Sequence, residues 1–481
     1  MAPDADTGTE AGAVPPPLTF DPTHLTAPSD GDAPPRLLLN TADWQAAAKA
    51  LLPRLVYDYY AAGADDLVSL AANASALAAH ALRPRVLVPV GGVSAATSLL
   101  GVAAAAPIVV APTAMQRMAH ADGELAVARA AAAVGVPMTL STMSTSSLEA
   151  VAAAPAGSVG TRWFQLYVFR GAGRAMAEKL VRRAQAAGYT ALVLTVDAPV
   201  YGNRETDVRN GFGLPAGLRL ANFVGDAPPA GGASGGAAGE PVPPDARGRL
   251  GGDGDGGGGG GGGGDSGCGD GDAGGWRVAD MDEPSAGSSG LAPFGDTMLD
   301  PDLSLECIAW LRSMTTLPIL VKGVLRGDDA AAAMAAGAAG IVVSNHGARQ
   351  LDGAVAPITA LREVVAAVKG PDRPAGSPPG LVLVDGAIRR GTDVLKAVAL
   401  GADAVMVGRP VLWGLAVAGE EGVARVLGGL VEEVRRAMML AGVPAWDRIP
   451  RGLVVLPDGR VADRVPVDPS TWQEEAGGDV G

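Results

Sequence analysis

The stretch PILVKGVLRGDDAAAAMAAGAAGIVV, residues 318–343, contains one complete strand–helix–strand repeat. Two short β-branched runs, Pro318–Val321 and Gly340–Val343, flank an alanine-rich segment with helical spacing, Asp328–Ala336. Strands that alternate with helices in this way pair in parallel. The repeat therefore predicts a parallel sheet covered by helices.

Eight apolar runs of this kind occur along the chain, at Pro107–Ala111, Val136–Leu140, Trp163–Val168, Ala191–Val196, Pro318–Val321, Gly340–Val343, Leu381–Val384 and Ala404–Val407. Helical patterns between them cover Gly123–Ala133, Arg174–Ala187, Asp328–Ala336, Ile358–Lys369 and Thr392–Leu400. Eight strand–helix units predict an α/β protein with a closed (β/α)8 TIM barrel. A doubly wound open sheet is the alternative, although no Gly-x-Gly-x-x-Gly motif follows the first run.

Three segments have the composition of unstructured chain. Residues 1–38 are acidic and rich in proline, residues 225–290 include nine consecutive glycines from Gly256 to Gly264, and residues 466–481 form a C-terminal tail. The glycine-rich segment falls after the fourth run, where 127 residues separate two strand starts instead of the 22 to 41 found elsewhere. We therefore predict one barrel domain, residues 39–465, with an N-terminal helical extension and a disordered insertion.

The net charge of −14 resides in these segments, because residues 1–35 contribute −6, residues 225–290 contribute −8, and the remainder is neutral. A neutral body lacks the basic surface of a nucleic-acid-binding domain.

The two cysteines, Cys268 and Cys307, allow no disulfide framework or metal cluster and fit a reducing intracellular compartment. The most apolar stretch, Ala103–Met115, contains two prolines and is too short to span a membrane.

Polar residues follow the predicted strands at the positions where TIM barrels carry their active sites. They are Thr113, Ser141, Gln165, Tyr167, Thr195, Asp197, Lys322, Ser344, His346, Asp385 and Arg409. So many polar groups at one rim indicate a large polar cofactor in addition to a substrate. The loops Asp385-Gly-Ala-Ile-Arg-Arg-Gly and Gly408-Arg-Pro predict phosphate binding, with surface ion pairs of Arg389 and Arg409 as the alternative.

His346 is a candidate general base that Asp197, at the end of the fourth strand, would support. Arg349 follows on the same loop and Arg204 lies seven residues after Asp197, and either guanidinium group can hold a carboxylate in a bidentate contact. A purely structural histidine is the alternative for His346 taken alone. Lys322, at the end of an apolar strand, is predicted to face a developing negative charge.

Two tyrosines, Tyr59 and Tyr60, lie in the N-terminal helical region, where spacing does not decide between aromatic packing and a place in the site.

Seven motifs resemble the FMN-dependent 2-hydroxy-acid oxidases and dehydrogenases, particularly the plant glycolate oxidase type. They are Val56-Tyr-Asp-Tyr-Tyr-Ala-Ala-Gly-Ala, Ala111-Pro-Thr-Ala-Met, Phe164-Gln-Leu-Tyr, Leu194-Thr-Val-Asp, Leu317-Pro-Ile-Leu-Val-Lys-Gly, Ser344-Asn-His-Gly-Ala-Arg-Gln-Leu-Asp and Val407-Gly-Arg-Pro. The resemblance covers about residues 40–445 outside the insertion. It implies FMN as cofactor and oxidation of an (S)-2-hydroxy acid, such as glycolate, lactate or a longer homologue, to the 2-oxo acid, with O2 reduced to hydrogen peroxide.

The resemblance also implies a role for each residue. His346 would take a proton as hydride leaves for flavin N5, and Asp197 would stabilise the resulting imidazolium. Arg204 and Arg349 would bind the substrate carboxylate, Tyr59 and Tyr167 would hydrogen-bond the substrate, and Lys322 would stabilise the reduced flavin. The FMN contacts would be Ala111, Pro112, Thr113, Ala114, Ser141, Gln165, Thr195, Lys322 and Ser344, with Asp385, Gly386, Ala387, Arg389, Gly408 and Arg409 around the ribityl chain and phosphate.

Three positions depart from the family pattern. Met143 replaces a tryptophan over the substrate, which predicts room for side chains larger than that of glycolate. Ala387 replaces a glycine, which predicts weaker FMN binding if this position has positive φ. The C-terminal Gly478-Asp-Val-Gly lacks the Ser-Lys-Leu type of peroxisomal signal found in plant members, so a soluble intracellular protein is expected and its compartment stays open.

Two further expectations concern the whole enzyme. The resemblance implies a homo-oligomer, a tetramer in the family, that acts on a small 2-hydroxy acid. The alternatives to an oxidase are a dehydrogenase that uses an acceptor other than oxygen and a catalytically impaired FMN-binding protein.

Overall fold

A computed structural model describes residues 37–155, 161–170, 173–223, 299–371, 380–450 and 452–462. The segments predicted to be unstructured, including Cys268, lie outside these ranges, apart from Leu37 and Leu38 at the end of the N-terminal tail. What the sequence predicts for those segments therefore stays a prediction.

Eight parallel strands close into a barrel. They are β1 Ile108–Val110, β2 Met138–Leu140, β3 Arg162–Leu166, β4 Ala191–Thr195, β5 Ile319–Val324, β6 Gly340–Val343, β7 Leu381–Val384 and β8 Ala404–Val407. Each strand pairs in parallel with the next, and β8 returns to β1 with Val405 opposite Ile108. The predicted TIM barrel is confirmed, and the open-sheet alternative is wrong because no edge remains between β8 and β1.

Three helices precede the barrel: α1 Thr41–Leu51, α2 Arg54–Ala61 and α3 Val68–Ala79. The helices that follow are Gly123–Val134, Leu148–Ala153, Gly173–Ala186, Glu205–Arg209, Glu306–Met314, Gly327–Ala335, Pro357–Lys369, Gly391–Ala399 and Arg409–Ala441. The last one is kinked where Ala418 and Gly419 leave helical geometry. The five predicted helices are confirmed to within about two residues at their ends, the usual uncertainty of helix boundaries.

The barrel strands are buried on both faces, which explains their continuous apolar runs. In β6, Val342 packs inside the barrel, whereas Ile341 and Val343 pack against the surrounding helices. A short antiparallel hairpin, Thr97–Leu99 with Val102–Ala104, places Leu99 in the interior cluster. The two-layered core fixes the strands, so the residues at their C-terminal ends meet at one rim.

Within the described ranges no helix is both long and apolar enough to cross a bilayer. Cys307 is buried and forms no disulfide there, and no group of His, Cys, Asp and Glu side chains in the same ranges could hold a metal ion.

Candidate active site

A large cleft opens at the C-terminal ends of the barrel strands and contains about 1370 Å³ of atom-free space, its mouth included. The predicted residues that line it are Tyr59, Ala111, Pro112, Thr113, Ala114, Ser141, Met143, Gln165, Tyr167, Thr195, Arg204, Lys322, His346, Arg349, Asp385, Gly386, Ala387, Arg389, Gly408 and Arg409. The sequence prediction therefore located the site, with two exceptions, Asp197 and Ser344.

Asp197 lies behind His346 rather than on the wall of the cleft. Its Oδ1 is 2.8 Å from His346 Nδ1. This close approach needs Gly323 in β5, because a Cβ atom there would lie 2.5 Å from Asp197 Cβ and the glycine has a φ of 109°. The pair thus joins the ends of β4 and β6 across a glycine of β5.

The charges of this pair favour a neutral imidazole beside an ionised carboxylate. Burial lowers the pKa of His346, and the carboxylate of Asp197 opposes this only in part. Burial raises the pKa of Asp197, but His346 and Lys322 outweigh it, so that pKa is lowered. A carboxylate at Nδ1 makes that nitrogen the donor, which leaves the lone pair on Nε2. Nε2 lies 3.3 Å from the hydroxyl oxygen of Tyr167 on the cleft wall.

Two guanidinium groups line the same cleft as the histidine, and aromatic rings hold both. Arg204 lies over the ring of Tyr201 at 4.0 Å, and its Nε donates to the carbonyl oxygen of Arg349. Arg349 lies 4.7 Å over the ring of Tyr59, which stacks on Phe212 with ring centroids 4.2 Å apart. Cation–π contacts fix the planes of both groups without neutralising them. Tyr59 thus both packs against an aromatic ring and lines the cleft.

Arg389 and Arg409 extend this positive region towards the loops after β7 and β8. Burial lowers the pKa of Arg409 to about 9, with further contributions from the positive charges of Arg349, Arg389 and Arg204. Burial also lowers the pKa of Arg389. Arg409 donates only to backbone carbonyls, including that of Gly347, and Arg389 donates to that of Ile388. The surface ion-pair alternative is wrong for the described part of the chain, and the cluster fits a phosphate.

The arginine cluster fits a phosphate group, and the carboxylate of Asp385 fits a hydroxyl group of the same ligand. Its Oδ2 accepts from Ser344 and lies 3.7 Å from Lys322 Nζ, whereas Oδ1 is buried and has no hydrogen-bond partner in the described structure. A buried acceptor without a donor is unfavourable. A ligand hydroxyl at this atom would satisfy it.

Ser344 lies behind the wall of the cleft. It is completely buried and does not line the cleft, and its predicted contact with the cofactor stays a prediction. Its hydroxyl donates to Asp385 and accepts from the backbone N–H of His346. The serine therefore supports two site residues from behind.

Sequence reasoning missed several residues of this site. Tyr201 and Leu299 line the cleft and were not predicted. Tyr60, which the sequence left undecided, also lines it, and its hydroxyl donates to the carbonyl oxygen of Met115. Tyr201 lies four residues after Asp197, which was a usable signal. Leu299 follows the long insertion, so no spacing rule could have placed it.

A buried carboxylate, Glu124, was also missed. It accepts from the backbone N–H groups of Gln116 and Thr145 at 2.9 Å each, and from the hydroxyl of Ser146 at 2.8 Å. It thereby ties the loop after β1 to the loop after β2, and both loops line the cleft.

Comparison with known proteins agrees with this geometry. The sequence profile of the FMN-dependent dehydrogenases matches residues 48–456. The chain belongs to the FMN-dependent dehydrogenase family. This confirms the resemblance and identifies FMN as the cofactor, which the arginine cluster and the unpaired Asp385 oxygen fit.

Similar members of the family are matched over nearly their whole length. Glycolate oxidase 1 of Zea mays is 43% identical over 418 residues, covering 87% of this chain and 96% of that protein. L-lactate oxidase of Nostoc sp. is 43% identical over 406 residues, covering 84% and 94% respectively. The crystal structure of mandelate oxidase with (S)-4-hydroxymandelic acid has a TM-score of 0.69 and 41% identity, covering 85% of this chain and 96% of that one.

Ala387 has a left-handed backbone in this FMN-dependent dehydrogenase, with a φ of 60°. The expectation that alanine stands where a positive φ is required is confirmed. A left-handed alanine is strained by about 1–2 kcal/mol. The strain lies on the wall of the cleft, beside Gly386.

We predict that Ala387→Gly stabilises the holoprotein and tightens FMN binding. Glycine removes the strain but gains about 0.4–1 kcal/mol of freedom in the unfolded chain, so the net gain lies between about 0 and about 1.6 kcal/mol, with a central value of about 1 kcal/mol. A shift of this size raises Tm by about 1–2 °C and lowers the FMN Kd by up to about fivefold, measured by calorimetry and by FMN fluorescence titration.

The control is Ala78→Gly on the exposed side of α3, which should lower Tm by the usual helix penalty. An Ala387→Gly protein with an unchanged or larger Kd for FMN would contradict the strain argument.

Proposed function

We propose that this protein oxidises (S)-2-hydroxy acids to 2-oxo acids and passes the electrons to O2, forming hydrogen peroxide. The observation that carries the proposal is that His346, with Nδ1 held by Asp197 and Nε2 beside the hydroxyl of Tyr167, lines the same cleft as Arg204 and Arg349. A base that shares a cleft with two cations suits a small anion that must lose a proton. The names of the similar glycolate, lactate and mandelate oxidases support the same class of substrate.

The base would act at Nε2. Asp197 holds Nδ1–H and orients the ring, so a substrate proton transferred to Nε2 would produce an imidazolium stabilised by the carboxylate 2.8 Å away. Lowering of the His346 pKa by burial keeps the imidazole neutral and ready to accept a proton near neutral pH.

Arg204 and Arg349 would bind the substrate carboxylate between them, in the bidentate geometry that guanidinium groups favour. Tyr167, beside Nε2, would hydrogen-bond the substrate hydroxyl, and Tyr59, under Arg349, would contact the carboxylate. Burial raises the pKa of Tyr167, with Asp197 adding to this, so the phenol stays a donor.

FMN, when bound, supplies the two-electron acceptor. Lys322 lies within the C-terminal half of β5 and Asp385 directly follows β7, where they would hold the flavin, and the Lys322 cation would balance negative charge that develops there. Arg389 and Arg409 would hold the phosphate, and Asp385 Oδ1 would accept from a ribityl hydroxyl.

The substrate side chain would lie against an apolar wall. Met143 and Ala198 both pack against the apolar cluster of Phe169 and Leu299, and Met143, Ala198 and Leu299 line the cleft. Methionine is flexible and can adapt to different shapes. The wall favours substrates with a side chain, such as lactate and longer homologues, over glycolate.

We predict that anaerobic L-lactate bleaches the flavin of the wild-type protein and that His346→Ala slows this bleaching about 10³-fold or more, because a general base is lost. Stopped-flow absorbance at the flavin band measures both rates, and FMN content should stay near that of the wild type. An oxygen electrode measures reoxidation of the wild type. The proposal is wrong if no 2-hydroxy acid bleaches the flavin or if His346→Ala bleaches at the normal rate.

We predict that Asp197→Asn shifts the acid limb of the pH profile of kcat/KM to lower pH and also lowers its plateau. Asp197 raises the pKa of His346, so removing its charge lowers that pKa. The imidazole is then neutral at lower pH, so the pH at which kcat/KM falls on the acid side shifts to a value about one unit lower. The plateau falls about 10²-fold because the imidazolium loses its partner.

The exposed Asp328→Asn serves as the control for this profile. An acid limb of Asp197→Asn that stays in place or moves to higher pH would refute the assigned coupling.

We predict that Met143→Trp narrows the substrate range. An indole would fill space beside the substrate side chain, and overpacking costs about 1–3 kcal/mol. The ratio of kcat/KM for (S)-mandelate to that for glycolate should therefore fall about 10-fold or more, measured by peroxide formation. Leu440→Trp, exposed and outside the cleft, is the control and should leave the ratio unchanged. An unchanged ratio in Met143→Trp would exclude Met143 from the substrate wall.

A further inference from the structure

The loop after β6 has a strained backbone at its functional residue. His346, Gly347 and Ala348 have consecutive positive φ values of 58°, 65° and 64°. Glycine tolerates this region, but each of the other two residues is strained by about 1–2 kcal/mol. A run of this kind persists only where surrounding contacts determine it.

Asn345, directly before the run, provides one such contact. Its side-chain Oδ1 accepts from the backbone N–H of Ala348 at 3.1 Å, and its backbone oxygen accepts from the same group at 2.9 Å. Its Nδ2 is 3.4 Å from the carbonyl oxygen of Val355. The orientation of this one amide therefore closes the left-handed turn.

Asn73, on α3, completes the hydrogen bonding of that amide. Asn73 Nδ2 donates to Asn345 Oδ1 at 2.9 Å, and Asn345 Nδ2 donates to Asn73 Oδ1 at 2.8 Å. Both side chains are at least 96% buried. Loss of Asn345 would leave the buried amide of Asn73 without these bonds, at about 1–3 kcal/mol, whereas loss of Asn73 would leave the Asn345 amide with only its longer bonds to Ala348 and Val355.

The same helix also holds the far end of the loop. Asp352 accepts from the backbone N–H groups of Val68 and Ser69 in the first turn of α3, at 3.1 and 2.7 Å. The hydroxyl of Ser69 donates to the carbonyl oxygen of Ala354 at 3.0 Å. Helix α3, which lies outside the barrel sequence, is thus bonded to the His346 loop at both ends.

We propose that Asn73 is a positioning residue for His346. Through Asn345 it holds the left-handed turn that aims Nε2 into the cleft, so the N-terminal extension takes part in setting the reaction geometry. This inference rests on the proposed function, in which His346 is the base. Asn73 itself would touch neither substrate nor flavin.

The test is Asn73→Leu, which removes both amide hydrogen bonds at similar side-chain volume. Anaerobic flavin reduction by L-lactate should slow about 10- to 100-fold, the effect of misaligning a reacting group. The KM for lactate and the rate of flavin reoxidation by O2 should stay within about twofold of wild type, because neither uses the base. Ala74→Leu, exposed on the same helix, is the matched control.

FMN content is measured in parallel, because Asn73 Nδ2 lies near Gly386 in the phosphate loop. Asn73→Ala is a second variant for the case in which leucine prevents folding.

Coupling between the two amides decides whether Asn73 acts through Asn345. The double variant Asn73→Leu/Asn345→Ala should reduce flavin no more slowly than Asn345→Ala alone, since both changes break one path. Additive effects, or a normal reduction rate in Asn73→Leu, would overturn the positioning role.

His346→Ala separates this inference from the proposed function. If His346→Ala is slow and Asn73→Leu is normal, only the positioning role fails. If His346→Ala is normal, the base assignment fails, and the positioning role, which depends on it, fails with it.

Discussion

The concentration of positive charge in one cleft is the constraint on which the site depends. Arg204, Arg349, Arg389 and Arg409 converge there, and in the described structure no carboxylate lies within ion-pair distance of any of them. Cation–π contacts and backbone carbonyls hold the groups in place but leave their charge uncompensated. Burial of such charges is unfavourable unless anions enter. The cleft is therefore built for two anions, a phosphate at one end and a carboxylate at the other.

In the proposed function, the second requirement is a base that stays neutral among these cations. Burial and nearby positive charge both disfavour an imidazolium, and Asp197 opposes this in part. Gly323 makes room for the Asp197 carboxylate, and Ser344 supports the backbone of His346. Residues with no chemistry of their own thus set the geometry of the one that acts.

The barrel was predictable because its strands are buried on both faces. Val342 and its neighbours in β6 must all be apolar, so each strand appears as an uninterrupted run between helical patterns. Once the barrel was predicted, the position of the site was predictable as well, because residues that follow parallel strands all lie at the C-terminal end of the barrel. The helices Glu306–Met314 and Arg409–Ala441 were missed because the insertion hides the start of the first and glycines interrupt the pattern of the second.

The side-chain network was less predictable than the rim. Ser344 occupies a strand end like its neighbours, and only the direction of its side chain removes it from the cleft. Asn73 and Asn345 are 272 residues apart, and Glu124 bonds to loops on two different strands. Periodicity reports which face of an element is buried, but it carries no information about which polar groups pair. The motif resemblance implied roles for Tyr59 and Tyr167 that spacing alone could not predict.

The crowding of guanidinium groups bears on how this protein is best produced. Before any anion enters, mutual repulsion works against closing the barrel loops around them, and a ligand that binds only the native state shifts the folding equilibrium in proportion to its concentration over its Kd. Riboflavin supply in the expression host would then set the yield of native material. In a host short of riboflavin, the precursor of FMN, a larger fraction of correctly translated chains would fail to reach the native state.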